Sequence, residues 1–285
     1  MSFGSTVALG ALAGFTIFLS LPFGRLSTLG PRARVALSMF AVGVLAFLFV
    51  DVLEHGFEIV EEAVTGFKDG NESFGHVLGL TLLLGGGFAA GSAGLALLEA
   101  RMRPRRPLPP VAGGSTAALT ADDVALVERT EIEQRGWALR TGMTIAAAIG
   151  VHNFAEGLAI GVSARAGEIG LATVLIIGFA LHNATEGFGI IGPLGRVRPS
   201  WSWLIAAGLV GGAPTFLGSM VGYHVTSEPL ELAFYAVAGG AILYVIGEVW
   251  QAMRRVGHRE LGMWLLALGF FAGVVTDLVV AYGGG

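Results

Sequence analysis

Two six-residue segments, HNFAEG from His152 and HNATEG from His182, repeat one set of metal-ligating side chains within a single chain. In each, a histidine and a glutamate stand four residues apart, with an asparagine following the histidine. On a helix, His152 and Glu156 therefore share a face, as do His182 and Glu186, with Asn153 and Asn183 on the flanks. Imidazole nitrogen combined with carboxylate oxygen suits Zn2+, Fe2+, Mn2+ or Cd2+. The chain has no cysteine, so thiolate sites and disulfides are excluded. Both segments sit in the middle of apolar runs with no lysine or arginine at the same depth. An ionised carboxylate at that depth costs several kcal/mol and marks an ion pathway, so two glutamates with two histidines call for a cation between them. The candidate metal ligands are His152, Asn153, Glu156, His182, Asn183 and Glu186. Coordination needs neutral imidazole and ionised carboxylate, so binding should weaken as pH falls.

A second polar stripe, Asp51, Glu54, His55 and Glu58, follows helical spacing toward the outer surface and is expected to guide or hold metal on its approach. Asp277 and His224 could join this rim, whereas His76 and His258 read as ordinary interfacial residues.

The elements that must hold these groups are membrane helices. The chain of 285 residues is 54% hydrophobic and 13% charged, about half the charge of an ordinary soluble domain. Spans of about 20 apolar residues fall at 4–23, 34–56, 75–99, 138–163, 169–192, 202–224, 230–252 and 260–282. The 45 glycines suit helices that pack backbone to backbone. No basic residue precedes the first run, so no cleaved signal peptide is expected.

With the N-terminus outside, 15 of the 17 basic residues fall in cytoplasmic loops, leaving Lys68 and Arg165 outside. This is the positive-inside pattern, and it places both termini on the extracytoplasmic face. The outer loops are acidic, with Glu58, Glu61, Glu62, Asp69 and Glu72 after the second span, a sign that raises local cation concentration. Residues 1–285 are expected to form one transmembrane domain. Its long connection, 101–136, is a basic cytoplasmic loop that opens with RMRPRRPLPP and closes on TADDVALVERTEIEQ, which suits a short amphipathic surface helix.

The segments AVGVLAFLFVDV from Ala41 and AGGAILYVIGEV from Ala238 align in register, placing Asp51 against Glu248 on spans of opposite direction. An inverted repeat about a midplane site is a common plan of secondary transporters. The expected fold is all-α, an eight-transmembrane-helix bundle in a 3+2+3 arrangement with an inverted repeat.

The pair HNFAEG and HNATEG resembles the signature of the ZIP family of metal transporters on their fourth and fifth helices, and the eight spans and long third loop resemble that family along the whole chain. The resemblance implies a divalent metal transporter, zinc first, moving its substrate toward the cytoplasm through His152, Glu156, His182 and Glu186, with Asn153 and Asn183 able to serve an adjoining second site. The family usually has proline before each glutamate, where this chain has Ala155 and Thr185. In GGAPTFLG on the sixth span, Thr215 stands near a place where some relatives supply a carboxylate, so a second metal position is weakened. Glu248 matches an acidic position near the cytoplasmic end of the seventh span, although the proline and acidic residue that often follow are replaced around Gln251 and Ala252.

The expected partners are a divalent metal ion, the lipid bilayer and a second copy of the chain in a homodimer, with no nucleic acid. The expected location is the plasma membrane, the inner membrane in a bacterium. The metal is substrate rather than catalytic cofactor, and the mechanism expected is alternating access. The rival from another class is an intramembrane di-metal carboxylate enzyme; neither HExxH nor GxSxG is present to support it, and no nucleotide-binding motif points to ATP hydrolysis.

Overall fold

The computed structural model describes residues 1–26, 29–102, 121–167, 169–224 and 227–284. Within them the chain forms eight helices long and apolar enough to cross a bilayer: α1 (Phe3–Arg25), α2 (Pro31–Lys68), α3 (Phe74–Arg101), α4 (Ala121–Ala166), α5 (Ile169–Ile191), α6 (Trp201–His224), α7 (Glu228–Val256) and α8 (Arg259–Gly284). No strand occurs among the described residues. The protein is an all-α integral membrane bundle. Without water in the hydrocarbon layer, helices satisfy their own backbone groups, so the apolar runs have little other choice of form.

Local sequence sets the helix ends. Ser2 and Ser73 cap α1 and α3 by accepting from the backbone N–H of Ser5 and His76, each at 3.2 Å. Pro31 opens α2, where the missing N–H costs nothing. Gly257, at φ 93°, turns the chain out of α7 in a conformation side-chain-bearing residues avoid. Two helices outrun the expected spans. At 38 and 46 residues, α2 and α4 measure roughly 57 and 69 Å at 1.5 Å per residue, beyond the ~30 Å hydrocarbon core. No proline stands between Phe57 and Lys68, and residues 121–136 run straight into α4 instead of forming a separate surface helix. The proline-rich part of the third connection lies outside the described residues.

α4 is central, with 72% of its apolar window buried, whereas α3 and α8, at 11% and 17%, are the outer helices. α1 packs on α6, α2 on α7, α3 on α7 and α8 on α2. An inverted repeat would pair the helices in this way, and the glycines show the symmetry residue by residue. A Cβ on Gly43 of α2 would strike the Leu266 carbonyl of α8, and one on Gly269 would strike the Phe40 carbonyl. In the other half, Gly240 of α7 stands against the Phe88 carbonyl of α3, and Gly91 against the Val237 carbonyl. Gly43 and Gly240 are the matched positions of the aligned segments from Ala41 and Ala238, and Phe40 and Val237 are matched too. On the remaining pair, Gly14 of α1 and Gly212 of α6 each face the other's carbonyl.

These close approaches sort the helices into two sets. α4 joins α6 where Gly150, Gly157 and Gly161 meet the backbone of Val210, Thr215 and Tyr223. α5 is tied to α1 through Gly187 against Ser20 and through the Thr16 hydroxyl, which donates to the Ala180 carbonyl at 2.7 Å. The set α1, α4, α5 and α6 thus faces the set α2, α3, α7 and α8. Between the sets, the glycine contacts are to side chains only: Gly189 near Leu45 and Val249, and Gly192 near Ser38 and Met253.

Candidate metal centre

His152 and Glu156 of α4 and His182 of α5 line a cavity whose other walls include Asp51 of α2 and Tyr235 of α7, which places them on the seam between the two sets. The helical period carries His152, Asn153 and Glu156 on α4 and His182, Asn183 and Glu186 on α5 into the interior, where all six are buried. The backbone on either side can come close because Gly157 and Gly187 follow each glutamate. His152 Nε2 lies 3.2 Å from Glu156 Oε1 and 3.8 Å from Glu186 Oε1. One ligand atom from each of these three residues falls within 4.8 Å of the other two. A four-coordinate zinc with bonds of about 2.0–2.1 Å holds neighbouring ligand atoms about 3.3 Å apart, so the trio is already spaced to close on one ion.

His182 stands outside that radius. Its ring meets Phe47 edge-on at 6.5 Å between centroids, and it lines the same cavity as His152 and Glu156. Asn153 and Asn183 hydrogen-bond to each other. Asn153 Nδ2 also donates to the Gly211 carbonyl at 2.9 Å, and Asn183 Nδ2 to Glu156 Oε2 at 3.3 Å. At the position the family usually gives to proline, the Thr185 hydroxyl donates to the His182 carbonyl at 2.8 Å, a back-bond that bends helices slightly.

Both nitrogens of His152 and of His182, both oxygens of Glu186 and Oε1 of Glu156 are buried without a hydrogen-bond partner. Each such atom costs about 1–3 kcal/mol, more if charged. No lysine or arginine lines the cavity beside them. A divalent cation would satisfy several of these atoms and offset both carboxylate charges, which a network of neutral hydrogen bonds cannot do.

From the centre a cavity of about 350 Å³ leads toward the end of the bundle that carries both chain termini, past Asp51, His55, Glu231, Tyr235 and Asp277. The expected stripe on α2 divides here: Asp51 and His55 line the cavity, whereas Glu54 and Glu58 are exposed outside it. His55 Nδ1 bonds the Asp51 carbonyl at 2.9 Å and its ring lies 5.6 Å from that of Tyr235. Asp277 takes its expected place on the wall; His224 instead stacks with Phe3 and Tyr223. His76 Nε2 lies within hydrogen-bonding distance of Glu228 Oε1, at 3.3 Å.

On the other side of the trio the passage stops. Leu45, Ile190, Val245, Val249 and Met253 are buried together in the core, and α5 brings Gly189 against Leu45 and Val249. Glu248 sits beside this seal, partly buried. Thr215 is fully buried on α6 and turns its side chain toward Gly14 of α1; it does not line the cavity. One buried carboxylate escaped sequence reasoning. Glu99 accepts from the Thr141 hydroxyl at 3.3 Å and the Tyr244 hydroxyl at 3.2 Å, joining α3, α4 and α7. Its position at the end of a span, two residues before Arg101, gave it the look of an interfacial charge, and no repeat marked it out.

Residues 121–246 match the family described as ZIP zinc transporter. The chain is 33% identical over 181 residues to the zinc transporter ZIP4 of Homo sapiens, an alignment that takes in 62% of this chain; the chain spans 27% of that relative's length. Both motifs and their partner Gly211 lie inside the matched stretch, so the similarity to the ZIP zinc transporter family falls on the part of the chain that carries the repeated histidine and glutamate pattern.

Proposed function

We propose that the chain carries a divalent metal cation, Zn2+ first among Fe2+, Mn2+ and Cd2+, across the membrane toward the cytoplasm by alternating access. The observation that carries this reading is the cavity that begins at Asp51, His55 and Asp277, reaches the buried His152 and Glu156, and ends above the apolar seal at Leu45 and Val249. A path open from one end and closed at the other is one of the two states alternating access requires. The arginine distribution favours an extracytoplasmic open end, where the acidic rim would gather cations.

His152, Glu156 and Glu186 are the proposed primary ligands, with His182 completing the shell after a modest movement of α5 against α4. Asp51 and His55 would pass the ion inward, and Glu248 would receive it once the seal parts. α4 and α5 would not move alone, because glycine contacts join them to α6 and α1. The moving unit is then the set α1, α4, α5 and α6 against the set α2, α3, α7 and α8.

The test is flux of Zn2+ or Cd2+ into liposomes containing the purified chain and an internal metal-sensitive dye. Wild-type protein should fill the vesicles, and Glu156→Ala and Glu186→Ala should each abolish the signal. Undiminished flux in both variants would remove the proposed site.

A further inference from the structure

The two asparagines make a directed chain of hydrogen bonds. The Gly211 carbonyl can only accept, so Asn153 must turn its Nδ2 toward α6. The same amide nitrogen donates to Asn183 Oδ1. With its oxygen engaged there, Asn183 points its own Nδ2 at Glu156, 3.3 Å from Oε2. Asn153 and Asn183 are wholly buried, so no solvent competes for these bonds. The chain therefore runs from the backbone of α6 through α4 and α5 to one oxygen of the Glu156 carboxylate. The other oxygen, Oε1, is left free and faces His152 Nε2 at 3.2 Å.

We infer that Asn183 is a positioning residue for Glu156, and that the amide pair, rather than a second cation, fills the space beside the ligand trio. The inference rests on the metal site proposed above. The Asn183 amide presents a positive hydrogen to Oε2, on the side from which a second ion would have to approach that oxygen. Asn153 Oδ1 is the one amide oxygen left without a partner, and Thr215 is turned onto Gly14. That neutral oxygen, with whatever oxygen of Glu186 the first ion leaves, is too small a donor set for a second divalent ion. Glu156 thus enters the coordination shell with one oxygen held by the protein and one offered to the metal, which limits the lost motion on binding.

The experiment titrates Zn2+ into the purified full-length chain in lipid nanodiscs, with the bound ions counted by elemental analysis and flux followed in liposomes. Wild-type protein should bind one Zn2+ per chain at this centre. Asn183→Leu, close in size but without donors, should still bind one ion, about 10- to 100-fold more weakly, the usual loss behind a metal ligand. Its KM for transport should rise while the rate at saturation holds; a purely structural residue would lower thermal stability without shifting affinity. If Asn183→Leu does not fold, Asn183→Ala reads the same loss. Asn183→Asp keeps the shape but sets a carboxylate oxygen against Glu156 Oε2, and should raise the count to two.

Unchanged affinity in Asn183→Leu or Asn183→Ala overturns the positioning role. Two ions in wild-type protein, or a single ion in Asn183→Asp, overturns the space-filling role. If wild-type protein binds no Zn2+, the metal site itself fails and this inference with it; if it binds one ion and the variants match it, this inference alone fails.

Discussion

Contacts within each four-helix set and contacts across the seam between the sets are built from different materials. Inside a set, glycine lets one backbone touch the next, as at Gly157 against Thr215, Gly240 against Phe88 and Gly43 against Leu266. Across the seam at least one partner is a side chain: Phe154 faces Phe234 with ring centroids 4.6 Å apart, and Leu45 and Val249 close on Gly189. Backbone contacts cannot slide without a clash, whereas side-chain surfaces can repack in new rotamers. The seam is also where the candidate ligands lie, so the one interface suited to movement is the one that would hold the cargo.

The harshest way to break this comparison is to fill an intra-set contact. Gly157→Leu should yield no folded protein, read by loss of a monodisperse peak in detergent, because the Thr215 carbonyl leaves no space for a Cβ. Folding with full flux would show that the close approach is not needed.

Cross-linking sharpens it next, and the absence of native cysteine makes the experiment clean. Phe154→Cys with Phe234→Cys, bridged across the seam by a short cleavable thiol linker, should lose nearly all flux and regain it on cleavage. The same bridge at Phe49 and Phe88, whose rings lie 6.3 Å apart within one set, should leave flux intact. Equal effects at both pairs would remove the distinction between the sets.

Leu45→Ala thins the seal. It should cost about 2–5 kcal/mol of stability, as large-to-small core changes do, and give a measurable leak of metal without saturation. Smallest and most graded is the response to pH. Zn2+ binding should decline steadily on acidification, since imidazole and carboxylate must lose their protons to coordinate. Binding that is flat across the acid range would speak against His152 and the two glutamates as ligands.

A change at Thr215 tests the boundary between sequence and structure. From the sequence, Thr215→Glu looked like a way to restore a second metal position. The side chain faces Gly14 instead, so a glutamate there should push α1 from α6, lower stability and add no bound ion.

Much was open to reading in the one-dimensional pattern. Eight spans follow from apolar run length, because the thickness of a bilayer sets it, and the repeated His/Glu spacing follows from the helical period. The inverted repeat could be read too, since Gly43 and Gly240 serve equivalent contacts. What stayed hidden depends on rotation and distance. Spacing puts Asp51 and Glu54 on one stripe, but only packing shows that the first lines the cavity and the second stands outside it. Glu99 had no local sign, because its partners Thr141 and Tyr244 come from helices distant in the chain.

The sequence by itself determined that the chain lies in lipid, that two helices bring histidine, asparagine and glutamate to its middle, and that the two halves share a plan. These are properties of composition and period, which act locally. Only the tertiary structure decided that His152, Glu156 and Glu186 converge while His182 stands back, that the asparagines bond to each other and Asn183 to Glu156, and that the cavity is closed off by Leu45 and Val249. Those outcomes turn on a few ångströms between helices, a distance governed by which glycine meets which carbonyl across the bundle.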